Sequence, residues 1–118
     1  MEDLYRAPAS GGDRLKAGLA LQMVAAATGV PVESIGGHAR RSGQACRARW
    51  LAMYLTHVAL GWPIERVGHA FGMNRATATQ ACRWAETERD RPWLDDLMNR
   101  LERGMRDLLD APRCDLPV

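Results

Sequence analysis

Apolar positions recur at helical spacing along most of this chain, and the pattern is sharpest over residues 63–85. Ile64, Val67 and Phe71 fall at i, i+3 and i+7, while Ala78, Ala81, Cys82 and Ala85 fall at i, i+3, i+4 and i+7. Two short helices are predicted. Between them Gly72 can take the positive φ of a helix end, and Asn74 offers an N-cap oxygen to a helix starting at Arg75. Gly68, four residues before the turn glycine, lets the two helices approach closely, and Met73 is placed to plug the corner. This is the layout of a helix-turn-helix.

The flanking pattern predicts further helices. From Asp13, taken as an N-cap, Leu15, Leu19, Met23 and Ala27 recur every four residues as a core-facing stripe, until Gly29 and Pro31 stop the helix. Residues 31–35 form one more short turn with Pro31 at its first position, before Gly36 and Gly37 break the chain. A helix over 46–60 carries Leu51, Tyr54, Leu55 and Val58 on one stripe and Trp50, Met53, His57 and Leu60 on another. Apolar on two faces, it should be central and buried. Gly61 ends it and Pro63 opens the first helix of the pair.

Beyond a charged stretch at 86–91, Pro92 restarts the periodicity. Leu94, Leu97, Met98, Leu101, Met105 and Leu108 make an amphipathic helix ending near Ala111 and Pro112. Its stripe either closes the core or offers a partner surface, since the opposite face is rich in acids. The expected fold is all-α: a small domain of five to six helices over 15–110, between a flexible arm at 1–14 and a disordered tail at 111–118.

A length of 118 residues with 47% apolar content suits one domain with a modest core, needing neither disulfides nor metal. The net charge of +2 conceals a segregation along the chain. Residues 36–84 hold 7 basic and 1 acidic side chains, whereas residues 85–118 hold 6 and 9. A positive centre around a helix-turn-helix is the electrostatic footprint of a phosphate-binding surface.

Cys46, Cys82 and Cys114 are too widely spaced for a zinc knuckle, and their odd number argues for reduced thiols. His38, His57 and His69 lack a metal-binding spacing, and His57 fits a hydrogen-bonded boundary residue. No leader and no run of membrane-spanning length is visible, so a cytoplasmic, nucleoid-associated protein without cofactor or metal is expected. Nothing assembles a catalytic constellation, which argues against an enzyme.

If the second helix of the pair buries its alanine stripe, Arg75, Ala76, Thr79, Gln80 and Arg83 face outward. Such side chains suit the major groove of double-stranded DNA. Arginine forks onto guanine O6 and N7, glutamine pairs with adenine, and threonine or alanine methyls pack on the thymine methyl. The approach segment 38–49 adds Arg40, Arg41, Arg47 and Arg49, with no acid between Glu33 and Glu65. Beside a helix-turn-helix, such a loop can lay one arginine in the minor groove and others on phosphates.

These residues also carry a family resemblance. Val32-Glu33 with Ile35, Arg40-Arg41, Arg47-Ala48-Arg49, 52–55 (AMYL), 67–72 (VGHAFG), Thr77 and Ala81-Cys82 together resemble the C-terminal DNA-binding domain, domain IV, of the bacterial replication initiator DnaA, over residues 19 to about 104. The resemblance implies a Trp-repressor-like helical domain with Arg41 in the minor groove, Arg49 on the DNA and Thr77 on a phosphate. At the mouth of the recognition helix the family carries Asp-His-(Ser/Thr)-Thr, where this chain has Asn74-Arg75-Ala76-Thr77, with one residue fewer in the turn.

No GxxxxGK[ST] phosphate loop occurs in these residues, so an ATP-driven initiator motor is not expected. A domain standing alone in this way also resembles the DnaA-like part of activators of gene-transfer-agent, prophage-derived genes. Such regulators act with RNA polymerase, a sigma-like subunit or a DNA-bending protein, and a homodimer would enlarge a small interface. The expected function is sequence-specific transcription regulation. The alternatives are a protein-interaction module working through the 93–109 helix, or a replication regulator on origin DNA.

Overall fold

The computed structural model describes residues 5, 7–36 and 43–117, which form six helices and no strand. They are α1 (Gly11–Thr28), α2 (Val32–Gly36), α3 (Gly43–Leu60), α4 (Ile64–Phe71), α5 (Arg75–Glu88) and α6 (Pro92–Asp110). Helix α3 packs against all five others, and nine consecutive or near-consecutive residues explain why: Ala45, Ala48, Arg49 and 51–56 are all buried. A helix apolar on two faces must be covered on both, as its sequence predicted.

Helix α1 begins at Gly11, ahead of the expected start. Ser10 is its N-cap, accepting from the Asp13 N–H at 3.1 Å, so Asp13 is not the cap. Asp13 instead receives Arg66 Nε and Nη2 at 2.9 and 2.8 Å, tying α1 to α4. The buried face of α1 is Ala17, Ala20 and Val24, whereas Leu15 is 74% exposed. The four-residue stripe was misleading because each step of four drifts by roughly 40° around a 3.6-residue helix. Alanines face α3 because small side chains let two backbones approach.

Helix termination follows the local sequence closely. Gly29, Gly61 and Gly72 have φ of 77°, 68° and 69°, and Pro31 and Pro63 stand immediately before α2 and α4. Pro31 therefore precedes the short helix rather than opening it, accepting from the Ser34 and Ile35 N–H groups. At the end of α3, Arg106 of α6 donates to the Val58 and Ala59 carbonyls, where a cation meets the negative end of the helix dipole. His57 Nδ1 donates to the Trp62 carbonyl at 2.7 Å, the boundary role its sequence suggested.

Helix α6 closes the core with Leu94, Met98, Leu101 and Met105, which uses most of its apolar stripe. Leu108 is 59% exposed and drops out of that stripe. The described part of the N-terminal segment lies on α4: the Tyr5 ring meets His69 edge-on, and His69 Nε2 donates to the Ala7 carbonyl. Residues 112–117 carry no regular structure and are exposed.

Gly68 owes its place to the turn rather than to the second helix. A Cβ there would lie 2.8 Å from the Met73 carbonyl oxygen and 3.2 Å from that of Asn74, both backbone atoms. Helix propensity would favour alanine by about 1 kcal/mol, so the clash decides the sign. Gly68→Ala should lower the unfolding free energy by about 2 kcal/mol, measured by denaturant titration. An unchanged or higher midpoint would mean that the turn gives way.

Candidate nucleic-acid interface

The corner of the helix pair is built from backbone and cap chemistry. Gly72, in the left-handed region, donates to the Gly68 and His69 carbonyls, and Met73 N–H donates to Gly68 O at 2.7 Å. The chain then enters α5 through Asn74, whose side-chain oxygen accepts from the Thr77 N–H at 2.8 Å. Half-buried Met73 packs on the core at this corner. Replacing Asn74 by alanine should cost about 1 kcal/mol of stability through the lost cap, read as a lowered thermal midpoint.

Helix α5 buries Ala78, Ala81, Cys82 and Ala85, the stripe expected of it. Burial, with Glu86 nearby, pushes the Cys82 thiol up to about 11, so this sulfur stays protonated and is not a nucleophile at neutral pH. The opposite side holds Arg75, Ala76, Thr79, Gln80 and Arg83 together along one shallow concavity, extended by Trp84 and Thr87. Arg75, Ala76, Gln80 and Arg83 are exposed, while Thr77 and Thr79 are half-exposed. The positive end of α5 opens at the same place, with Arg75 and Thr77 in its first turn.

The structure sorts the expected contact residues. Asn74 is exposed, but its oxygen is engaged by the cap, which leaves only its amide nitrogen to donate. Arg49 is a correction: it is 6% exposed and its Nη2 donates to the Phe71 carbonyl at 3.4 Å. An arginine turned onto the C-terminal end of α4 braces the helix pair rather than reaching out to a phosphate. Arg47 is exposed and stacks on Trp50 and Trp84. Arg40 and Arg41 lie outside the described residues.

Two features of the site were not anticipated. Glu65 of α4 pairs with Arg75 at 3.2 Å, an exposed contact with side-chain exposures of 39% and 74%. Such a pair is worth no more than about 1 kcal/mol, so it yields easily to a stronger partner. Trp84 lines the same concavity as the outward polar residues, a position its place beside Arg83 would have allowed but its apolar character obscured.

Four of the nine acids in residues 85–118 have arginine partners in that same segment. Asp95 and Glu102 are engaged by Arg89, Asp96 by Arg100, and Glu88 by Arg91. These pairs lie within residues 85–118 and involve neither Arg75 nor Arg83. Arg75 and Arg83 remain on a common outward surface.

A family model described as the bacterial DnaA protein helix-turn-helix matches residues 19–84, more than half of the chain. The chain belongs to the DnaA helix-turn-helix family. The matched span runs from within α1 to Trp84 and stops short of α6, whereas the resemblance in the sequence had extended to about residue 104. No curated protein and no solved structure matches the chain. A DnaA-type helix-turn-helix implies DNA binding, and the outward face of α5 gathers Arg75, Ala76, Thr79, Gln80 and Arg83 along one concavity. Among the described residues no helix is long and apolar enough to cross a membrane.

Proposed function

We propose that this DnaA-type domain is a sequence-specific double-stranded DNA binder that regulates transcription. Helix α5 lies in the major groove, where Arg75, Thr79 and Gln80 read bases, while Arg47, Thr77 and Arg83 hold phosphates. Arg41 enters the minor groove with Arg40 on the adjoining backbone. The observation that carries this reading is the shared concavity of Arg75, Thr79, Gln80 and Arg83 on a helix whose other side is fully anchored in the core.

Asn74-Arg75-Ala76-Thr77 stands where the initiator carries Asp-His-(Ser/Thr)-Thr, and this favours an operator different from the initiator's own box. With that difference we propose a regulatory role: an activator of prophage-like or gene-transfer-agent genes, working in the cytoplasm at the nucleoid with RNA polymerase, a sigma-like subunit or a DNA-bending protein. A second copy on DNA would enlarge the interface. The protein is not an enzyme on this reading, and it needs no cofactor or metal.

The test is selection of binding sites from random duplexes, followed by mapping of the tagged protein across the genome. A recovered motif with occupancy upstream of genes supports regulation. Occupancy at the replication origin alone would replace it with a replication role. No enrichment on any duplex would remove the DNA reading altogether.

A further inference from the structure

The Arg47 guanidinium lies 4.3 Å from the Trp50 ring centroid and 5.2 Å from that of Trp84. The two indoles meet edge to face, with centroids 5.8 Å apart and planes at 65°. Arg47 is exposed, whereas both tryptophans are half-buried. The cation belongs to α3 and Trp84 to α5, so the stack links the approach helix to the recognition helix.

Stacking engages the flat face of a guanidinium and leaves its five N–H donors in the plane, free for the fork geometry that a phosphate requires. It also holds a long side chain that would otherwise lose rotamer freedom on binding. Glu88 shares a groove with Arg47 but is engaged by Arg91 at 2.7 Å. Trp84, meanwhile, lines the concavity formed by Arg75, Thr79, Gln80 and Arg83.

We infer that Trp50 and Trp84 are positioning residues that hold Arg47 as a preformed phosphate clamp at the border of the α5 face. The DNA backbone is gripped from α3 while α5 reads the bases, and Trp84 acts through Arg47 rather than on a base. The inference rests on the DNA binding proposed above.

The experiment measures binding of the full chain to a mixed-sequence duplex over a range of salt, with thermal melting of each variant. Arg47→Ala should reduce the slope of log affinity against log salt by about 0.9, the loss of one phosphate. Trp84→Leu should lose part of that slope and Trp84→Phe should retain it. The Arg47→Ala/Trp84→Leu double variant should bind no more weakly than Arg47→Ala alone.

Additive losses in the double variant, or an unchanged slope in Arg47→Ala, would overturn the clamp while leaving DNA binding intact. Absence of any salt-sensitive binding by the unaltered chain would overturn both. If Trp84→Leu melts early, Arg47→Lys decides the matter. It keeps the charge without the planar stack, so it should bind more weakly than the unaltered chain, and equal affinity would refute positioning by the indoles.

Discussion

Arg89→Ala is expected to lower the unfolding free energy by about 3 kcal/mol, because it removes the cation from a part-buried cluster and from the nearly enclosed Glu102 carboxylate. Arg89 caps the end of α5 with its side chain 18% exposed. It donates to Asp95 at 2.7 Å, Asn99 at 2.7 Å and Glu102 at 3.0 Å on α6, and to the Tyr54 hydroxyl at 3.4 Å on α3. Tyr54 in turn donates to Glu86. Burial works against the arginine's charge, but the bonds to Asp95, Tyr54 and Glu102 outweigh it and raise its affinity for the proton. Burial, together with the bond to Glu86, pushes the Tyr54 phenol up to about 12, so it too stays protonated.

Without Arg89, the Glu102 carboxylate is left only 13% exposed and loses this cation. A loss of this size should move the thermal midpoint down by roughly 12 °C for a domain of this length. Arg89→Met with Glu102→Leu should recover much of the deficit, since apolar packing can replace a buried ion pair. A single-variant loss below about 1 kcal/mol would instead place the cluster among surface pairs.

Arg75→Ala should collapse base discrimination at one operator position by about tenfold to a hundredfold, the range for one bidentate arginine contact with guanine. Arg75 stands in the first turn of α5 and is 74% exposed, with Glu65 as its partner at 3.2 Å. That pair is weak in water, so on the proposed reading it would give way to a guanine edge. Arg83→Ala is the contrasting variant: it should weaken binding to all sequences alike and lower the salt slope by about 1. Arg49 would be a poor control for a phosphate contact, because its guanidinium sits on the Phe71 carbonyl and its removal would disturb the helix pair. Equal losses on selected and random duplexes for Arg75→Ala would show that this residue holds backbone and reads nothing.

Much of the site was legible because its determinants lie within a turn or two of one another. The positive φ of Gly72, the Asn74 cap and the alanine stripe of α5 are local properties of seven to twelve residues, and each appears where its spacing placed it. The α1 stripe was not legible in the same way. Leu15 and Ala17 are equally compatible with a helix, and only the closeness of α3 selects the smaller residue for burial. Likewise the charged stretch at 86–91 gives no hint that Arg89 is the hub of a cluster, since its partners are supplied by α6 and α3.

The chain's sequence by itself determined an all-helical domain, the corner between α4 and α5, and the outward set of Arg75, Ala76, Thr79, Gln80 and Arg83. Periodicity and capping act between near neighbours, so they survive without knowledge of the fold. Tertiary structure alone decided where Arg47, Arg49, Arg66, Arg75 and Arg83 turn. Arg49 turns inward onto α4, Arg66 is held by Asp13, Arg47 stacks on two indoles, and Arg75 and Arg83 stay on the outward concavity of α5. A guanidinium is long and seeks whatever acceptor or ring the fold brings within reach, and those partners come from other helices.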